Sequence, residues 1–289
     1  MNLLQQVVNG IIIGHAYALV AVGWTMLLGA ARLVNFGHGQ MYMVGAFVAW
    51  WFMRMTGLPY PVAVFAAILV GAFIGAVMQR LLMRLTLSRD LVSLMIVTLG
   101  FGQMLEGAAG LTFGARPQTL TSPFQSMTLH FGAIWFTVQD VILVVATIVV
   151  FLALRVLLNA TKFGVAVRMV AEDPALTRLA GIDIGRVYMA IFAFEGAAVA
   201  FAATLVAPRT PILTSMGFDQ VVTTFVVVVL GGIGSVGGSY LAGLSLGLFT
   251  ALFGALVSPA YTTAAVFVLL IAVMALRPGQ LAASANFAR

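Results

Sequence analysis

The chain has 289 residues, 62% of them hydrophobic and 8% charged, whereas soluble domains carry about 25% charged residues. That balance excludes a water-soluble globule and a disordered chain, and its apolar content allows about nine crossings at about 20 residues each. The excess of 14 basic over 8 acidic residues, +6 in all, is what cytoplasmic loops of a membrane protein collect, so it calls for no nucleic acid. Without cysteine there are no disulfides, thiolate metal centres or thiol catalysis.

Met1 to Gln6 carry no basic charge, and Val7 to Leu28 outlast a signal h-region, so the N-terminus reads as a mature first span. Apolar runs bounded by charge or turn residues predict spans near 7–30, 37–53, 60–82, 91–112, 134–158, 188–207, 218–233, 239–257 and 261–276. The expectation is a polytopic all-α integral membrane protein, one transmembrane domain over 1–289. It has eight or nine segments, because 218–233 is short enough to enter and leave on one side. With the N-terminus outside, the inner loops hold eleven basic residues: Arg32, Arg80, Arg84, Arg89, Arg155, Lys162, Arg168, Arg178, Arg186, Arg277 and Arg289. The outer loops hold three, Arg54, Arg116 and Arg209. This bias predicts a cytoplasmic C-terminus and an outer 113–133 loop.

Between the first two spans, Asn35-Phe36-Gly37-His38-Gly39-Gln40 reads either as a helix break whose freed backbone lines a cavity or as a plain tight turn. Asn35 and His38 are therefore pathway candidates, and nothing near them forms a metal site. Glu106 and Asp140 lie near predicted outer span ends, where a structural role suffices.

Residues 159–187 hold 7 of the chain's 22 charges and form the one sizeable cytoplasmic loop. Within it Asp173 suits an N-cap, Pro174 the first helical position, Leu176 and Leu179 one face, and Gly181 the stop. A helix that short, about 10 Å, is marginal alone, so it is either held by the membrane domain or a partner, which suits docking into a groove, or is a solvated connector with a little helix. Glu195, well inside its span, costs about 2.5–3.5 kcal/mol against lipid. Either it faces a pathway or it is hydrogen-bonded at a helix contact.

Gly232-Ile233-Gly234-Ser235-Val236-Gly237 satisfies G-x-G-x-x-G, but no Asp or Glu follows it, so a dinucleotide site lacks its ribose partner. Gly232, Gly234 and Gly237 instead read as a turn between close spans. Gly243 and Gly247 follow in small-xxx-small spacing, which Gly10 with Gly14 and Gly71 with Gly75 repeat. No G-x-x-x-x-G-K-[ST] occurs, so the chain has no P-loop for ATP.

Tyr17-x-Leu19-x-Ala21-x-Gly23, then Asn35-Phe36-x-His38-Gly39 and Met43-x-Gly45-Ala46, resemble the N-terminal pattern of the bacterial high-affinity branched-chain amino acid ABC permeases, of the smaller permease-subunit type. Arg168-x-x-Ala171-Glu172-Asp173 with Leu179-x-Gly181-Ile182 resembles that family's coupling loop, and Leu230 to Ser235 with Leu276-Arg277-Pro278 its C-terminal third. The resemblance implies a type II-importer-like transmembrane domain in the bacterial inner membrane. Its implied partners are a second related permease subunit, two ATPase subunits that use the ATP, and a periplasmic binding protein, with no cofactor bound by this chain. It also places Arg168, Glu172, Asp173, Pro174, Ala175, Leu179 and Gly181 on the ATPase-coupling segment. The chain departs from the family at Gln40, where an acidic residue is common, at Thr223, where Lys is common, and at Glu195, where a small residue is usual. Relatives in the wider superfamily carry amides, urea or other amino acids, so an ABC permease for urea or amides is an alternative. The competing class is a self-contained secondary transporter or channel for a small polar solute; a membrane enzyme fits poorly with three dispersed histidines.

Overall fold

The computed structural model describes residues 3–31, 33–85, 91–132 and 134–276. Arg32, Arg89, Arg277 and Arg289, which contribute to the basic bias, lie outside them. The helices are α1 (Leu3–Ala31), α2 (His38–Thr56), α3 (Tyr60–Leu85), α4 (Leu91–Phe113), α5 (Val138–Ala160), α6 (Lys162–Glu172), α7 (Pro174–Leu179), α8 (Ile184–Val206), α9 (Met216–Gly231), α10 (Val236–Leu256) and α11 (Thr262–Leu276). A hairpin of β1 (Thr128–Phe131) and β2 (Ile134–Thr137) precedes α5.

Each of the nine expected apolar runs coincides for most of its length with one helix, and six of these helices (α1, α3, α4, α5, α8 and α10) are long and apolar enough to cross a membrane. The other three are α2, α9 and α11. With 16 residues, α9 reaches about 24 Å, short of a hydrocarbon core of about 30 Å.

Two expectations need correction. Residues 134–137, expected as the start of a span, form β2, paired with β1 from Phe131↔Ile134 to Thr128↔Thr137. Thr137 then caps α5 in a capping box with Asp140, so local cap chemistry sets the helix start. The 159–187 loop carries two helices instead of one. Thr161 accepts from Gly164 N to start α6, whose Val167 and Val170 are buried.

Small residues set the spacing of the bundle. At the crossing of α1 with α10, a Cβ on Gly14 would lie 2.7 Å from Leu244 Cα, one on Gly10 2.9 Å from Leu248 Cα, and one on Gly243 2.8 Å from Ala18 Cβ. Gly247 faces the Gly14 backbone, while Gly71 and Gly75 meet Gly196 and Phe192 of α8. Such contacts let backbones approach, which is where membrane helices gain packing energy. Replacing Gly247 by Leu is expected to cost about 1–3 kcal/mol by overpacking, read as a lower Tm of the detergent-solubilised chain. Gly237→Ala, whose Cβ would meet nothing within 4 Å, should leave Tm unchanged.

The bundle has two distinct ends. At one, Gln5 accepts from Trp135 N–H and donates to Trp135 O, both at 2.9 Å, fastening the hairpin to the start of α1. Gln118 pairs with Ile212 and Gln125 Nε2 donates to Pro208 O, which joins the 113–137 and 206–215 connections at this end. Arg209 is ion-paired to Asp140 here at 2.7 Å. The far end of α5, 23 residues or about 34 Å away, carries α6 and α7. The α9–α10 turn, where Gly234 lies against Gly29 near the end of α1, is on that side.

Candidate functional site

The chain does not pass straight from α1 into α2. After Trp24, α1 continues seven residues to Ala31, about 10 Å, and the chain then returns so that His38, the first residue of α2, stacks on Trp24. Their ring centroids are 5.3 Å apart at 13°. Asn35 makes the turn possible, because its Oδ1 accepts from Gly37 N at 2.9 Å, an Asx-type bond that substitutes for helix continuation. Phe36 N donates to Thr98 Oγ1 of α4 at 3.2 Å, so the return segment is held inside the bundle.

The N-terminus of α2 has no side-chain cap, and Glu195, the twelfth of 23 residues in α8, sits beside it. Glu195 Oε1 accepts from Asn35 Nδ2 at 3.1 Å and lies 2.9 Å from His38 Nδ1. All three residues are 0% exposed. A carboxyl group, an imidazole nitrogen and an amide thus meet near the middle of α8, beside the first residue of α2, an arrangement that keeps polar groups tolerable in a membrane interior. The structure brings together three residues separated by up to 160 positions.

The cluster is not fully satisfied. Glu195 Oε2, His38 Nε2 and, on the Trp24 ring stacked against His38, Nε1 are buried without a partner among the described residues. Buried polar atoms normally find partners, so these mark a node with unused hydrogen-bonding capacity. No group of three His, Asp or Glu side chains able to hold a metal ion occurs among the described residues.

The second group of sequence candidates lies on α6 and α7. Asp173 Oδ1 accepts from Ala175 N at 2.7 Å and Leu176 N at 3.1 Å, and Pro174 takes the first turn of α7. Gly181 adopts φ 79° just past the helix, where a side chain would be strained. Leu179 and Leu176 are left 84% and 61% exposed. Arg168 stands apart from them, on α6, with a guanidinium N–H donating to Leu158 O. Glu172 is exposed at the end of α6.

Gly232 and Gly234 take φ 88° and 80° in the α9–α10 turn. Gly243 and Gly247 contact α1, whereas Gly237 touches nothing. At the departures from the family pattern, Gln40 is buried and Thr223 Oγ1 donates to Asp219 O at 2.9 Å.

Sequence reasoning missed the outward face of α4. Gly100, Gln103, Gly107 and Gly110 recur at three- and four-residue spacing, and a Cβ on any of these glycines meets nothing within 4 Å. Gln103 is exposed, and neither it nor nearby Glu106 has a partner among the described residues. The 3–4 spacing of small and polar residues was available in the sequence as a signal.

Residues 6–274 match the family model described as "Branched-chain amino acid transport system / permease component". The chain is 33% identical to the high-affinity branched-chain amino acid transport system permease protein LivH of Salmonella typhimurium, covering 95% of this chain and 94% of that one. It is 31% identical, with the same coverage, to the corresponding permease protein BraD of Pseudomonas aeruginosa. It is also 27% identical to LivM of Salmonella typhimurium, over 76% of this chain and 57% of LivM. With its apolar helices, its small-residue helix contacts and a match that runs almost end to end, the chain belongs to the branched-chain amino acid transport system permease family.

Proposed function

We propose that this chain is the membrane-spanning permease subunit of an ATP-driven importer for branched-chain or related amino acids. It forms the translocation pathway with a second, related permease subunit and takes ligand from a periplasmic binding protein. Two separate ATPase subunits use the ATP, and the transmembrane domain is of the type II-importer kind, in the inner membrane. The observation that carries this reading is α7: a capped helix at the basic end of the bundle presents Leu176 and Leu179 outward. Exposed apolar side chains on a short, firmly stopped helix suit insertion into a groove on a partner, and Glu172 and Arg178 beside them supply charge for register.

Opposite ends of α5 carry the 113–133 loop and the 159–187 loop, and the basic residues favour the second as cytoplasmic. A cytoplasmic reporter is therefore expected to be inactive when fused at position 125 and active at position 180; the reverse pattern would overturn the orientation. The outward Gly-Gln-Gly face of α4 suits the second permease subunit, because lipid offers no partner to Gln103 or Glu106.

Asn35, His38 and Glu195 are proposed to line the pathway when α2 and α8 separate, the unpaired Glu195 Oε2 and His38 Nε2 then meeting solute or water. A strain lacking its own branched-chain amino acid permeases tests the whole reading. This chain with its partner subunits should restore uptake of labelled leucine, isoleucine or valine. Uptake that persists without any ATPase subunit would instead support a secondary transporter built around the buried Glu195–His38 pair.

A further inference from the structure

A groove of about 720 Å³ opens between α1, α5, α6 and α10, at the end of the bundle that carries the docking loop. Its volume lies within the range of about 300–1,000 Å³ usual for small-molecule sites. Ile148, Phe151 and Leu152 of α5 and Tyr240 of α10 form an apolar wall, and Arg155 and Arg168 stand on the same lining.

Two features distinguish it from a packing defect. Arg155 is exposed and has no carboxylate partner among the described residues, whose ion pairs are His38–Glu195, Arg186–Asp183 and Arg209–Asp140. The groove is also open beside Gly237, which lies on its lining. Gly243 and Gly247 of the same helix touch α1, but the space a Gly237 side chain would fill is empty. That glycine leaves room for something other than a neighbouring helix.

We infer that this groove binds an anionic phospholipid of the cytoplasmic leaflet, its phosphate held by Arg155 and Arg168 and an acyl chain laid along Ile148, Leu152 and Tyr240. The cations argue for the charge of the occupant. Arg155 lies five residues before the end of α5, at the depth where basic pockets between helices meet lipid headgroups. The apolar wall argues against free phosphate, which has no use for it. Leu152 and Ile148 are 57% and 39% exposed, so the groove is open toward the bilayer. This inference rests on the orientation proposed above for the leaflet, but not on the transported solute. Because α6 is one wall and leads directly into α7, an occupied groove would brace the docking loop.

The test uses the purified transporter complex in detergent, with phosphatidylglycerol, phosphatidylethanolamine or inorganic phosphate as probes and native mass spectrometry as readout. One phosphatidylglycerol per copy of this chain should be retained. Retention should fall at least about tenfold in Arg155→Gln/Arg168→Gln, and equally in Gly237→Leu, which fills the groove while keeping both charges. Phosphatidylethanolamine should not be retained, and phosphate should not displace the lipid. Equal retention of phosphatidylethanolamine, displacement by phosphate, or unchanged retention in both variants would overturn the assignment. So would a photo-crosslinker at Leu152 that captures the second permease or an ATPase subunit in place of lipid. Since Gly237→Leu and the arginine variant alter different walls, misfolding of one leaves the other decisive.

Discussion

Glu195→Ala is expected to destabilise the chain by about 2–6 kcal/mol, at about 1–3 kcal/mol for each of the two buried polar groups that lose their shared partner. Alanine leaves Asn35 Nδ2 and His38 Nδ1, both fully buried, facing an apolar gap where Glu195 Oε1 stood. The double variant His38→Ala/Glu195→Ala should lose less than the sum of the two single losses, because residues in one hydrogen-bond network couple by about 0.5–3 kcal/mol. Thermal unfolding of the solubilised complex reads both quantities. Additive losses would show that the pair does not act as a unit. Glu195→Gln keeps an acceptor at Oε1 and should fold, yet it loses the charge proposed to face solute in the open state. A higher apparent KM for uptake with near-native Tm is the expected outcome, and unchanged uptake would assign Glu195 to helix contact alone.

Replacing Leu179 and Glu172 together, by Asp and Ala, is expected to reduce uptake at least about tenfold with no loss of protein from the membrane. Leu179 is 84% exposed and Glu172 ends α6, so neither substitution opens a cavity in the bundle. If α7 is inserted into an ATPase groove, truncating an anchoring residue costs about 2 kcal/mol or more, roughly a 30-fold loss of affinity. Co-purification of the ATPase subunits with the variant permease measures this directly. Native recovery of the ATPases together with native uptake would place the docking site elsewhere.

How much of this could be read from the sequence depended on the range of the interaction. The ends of α7 were legible because Asp173 and Pro174 at its start and Gly181 just past its end each act on backbone within a few residues of themselves. The existence of the spans was legible because their apolar runs needed no partner to identify them. The glycine pairs at the α1–α10 and α3–α8 crossings followed from spacing, though not which helices they would join. The hairpin was hidden because Ile134, Trp135 and Phe136 are as apolar as the helix they precede, and the helix α6 because only Thr161 separates it from the end of α5. The Glu195–His38 contact lies beyond such reasoning. It requires the rotational phase of α8 and the depth at which α2 begins, and both are set by close contacts such as Gly23 with Glu195 and Gly39 with Gly217. Asn35, His38 and Glu195 stood out singly for their chemistry; only the fold puts them on one oxygen.

The most direct test of the permease assignment is ATP hydrolysis in proteoliposomes holding this chain, its related permease subunit and the two ATPase subunits. Added binding protein loaded with a branched-chain amino acid is predicted to raise hydrolysis several-fold and to drive accumulation of the labelled amino acid inside. Both effects should disappear when this chain is omitted. Accumulation that proceeds without ATP, or hydrolysis indifferent to the loaded binding protein while every subunit is present and folded, would contradict the assignment.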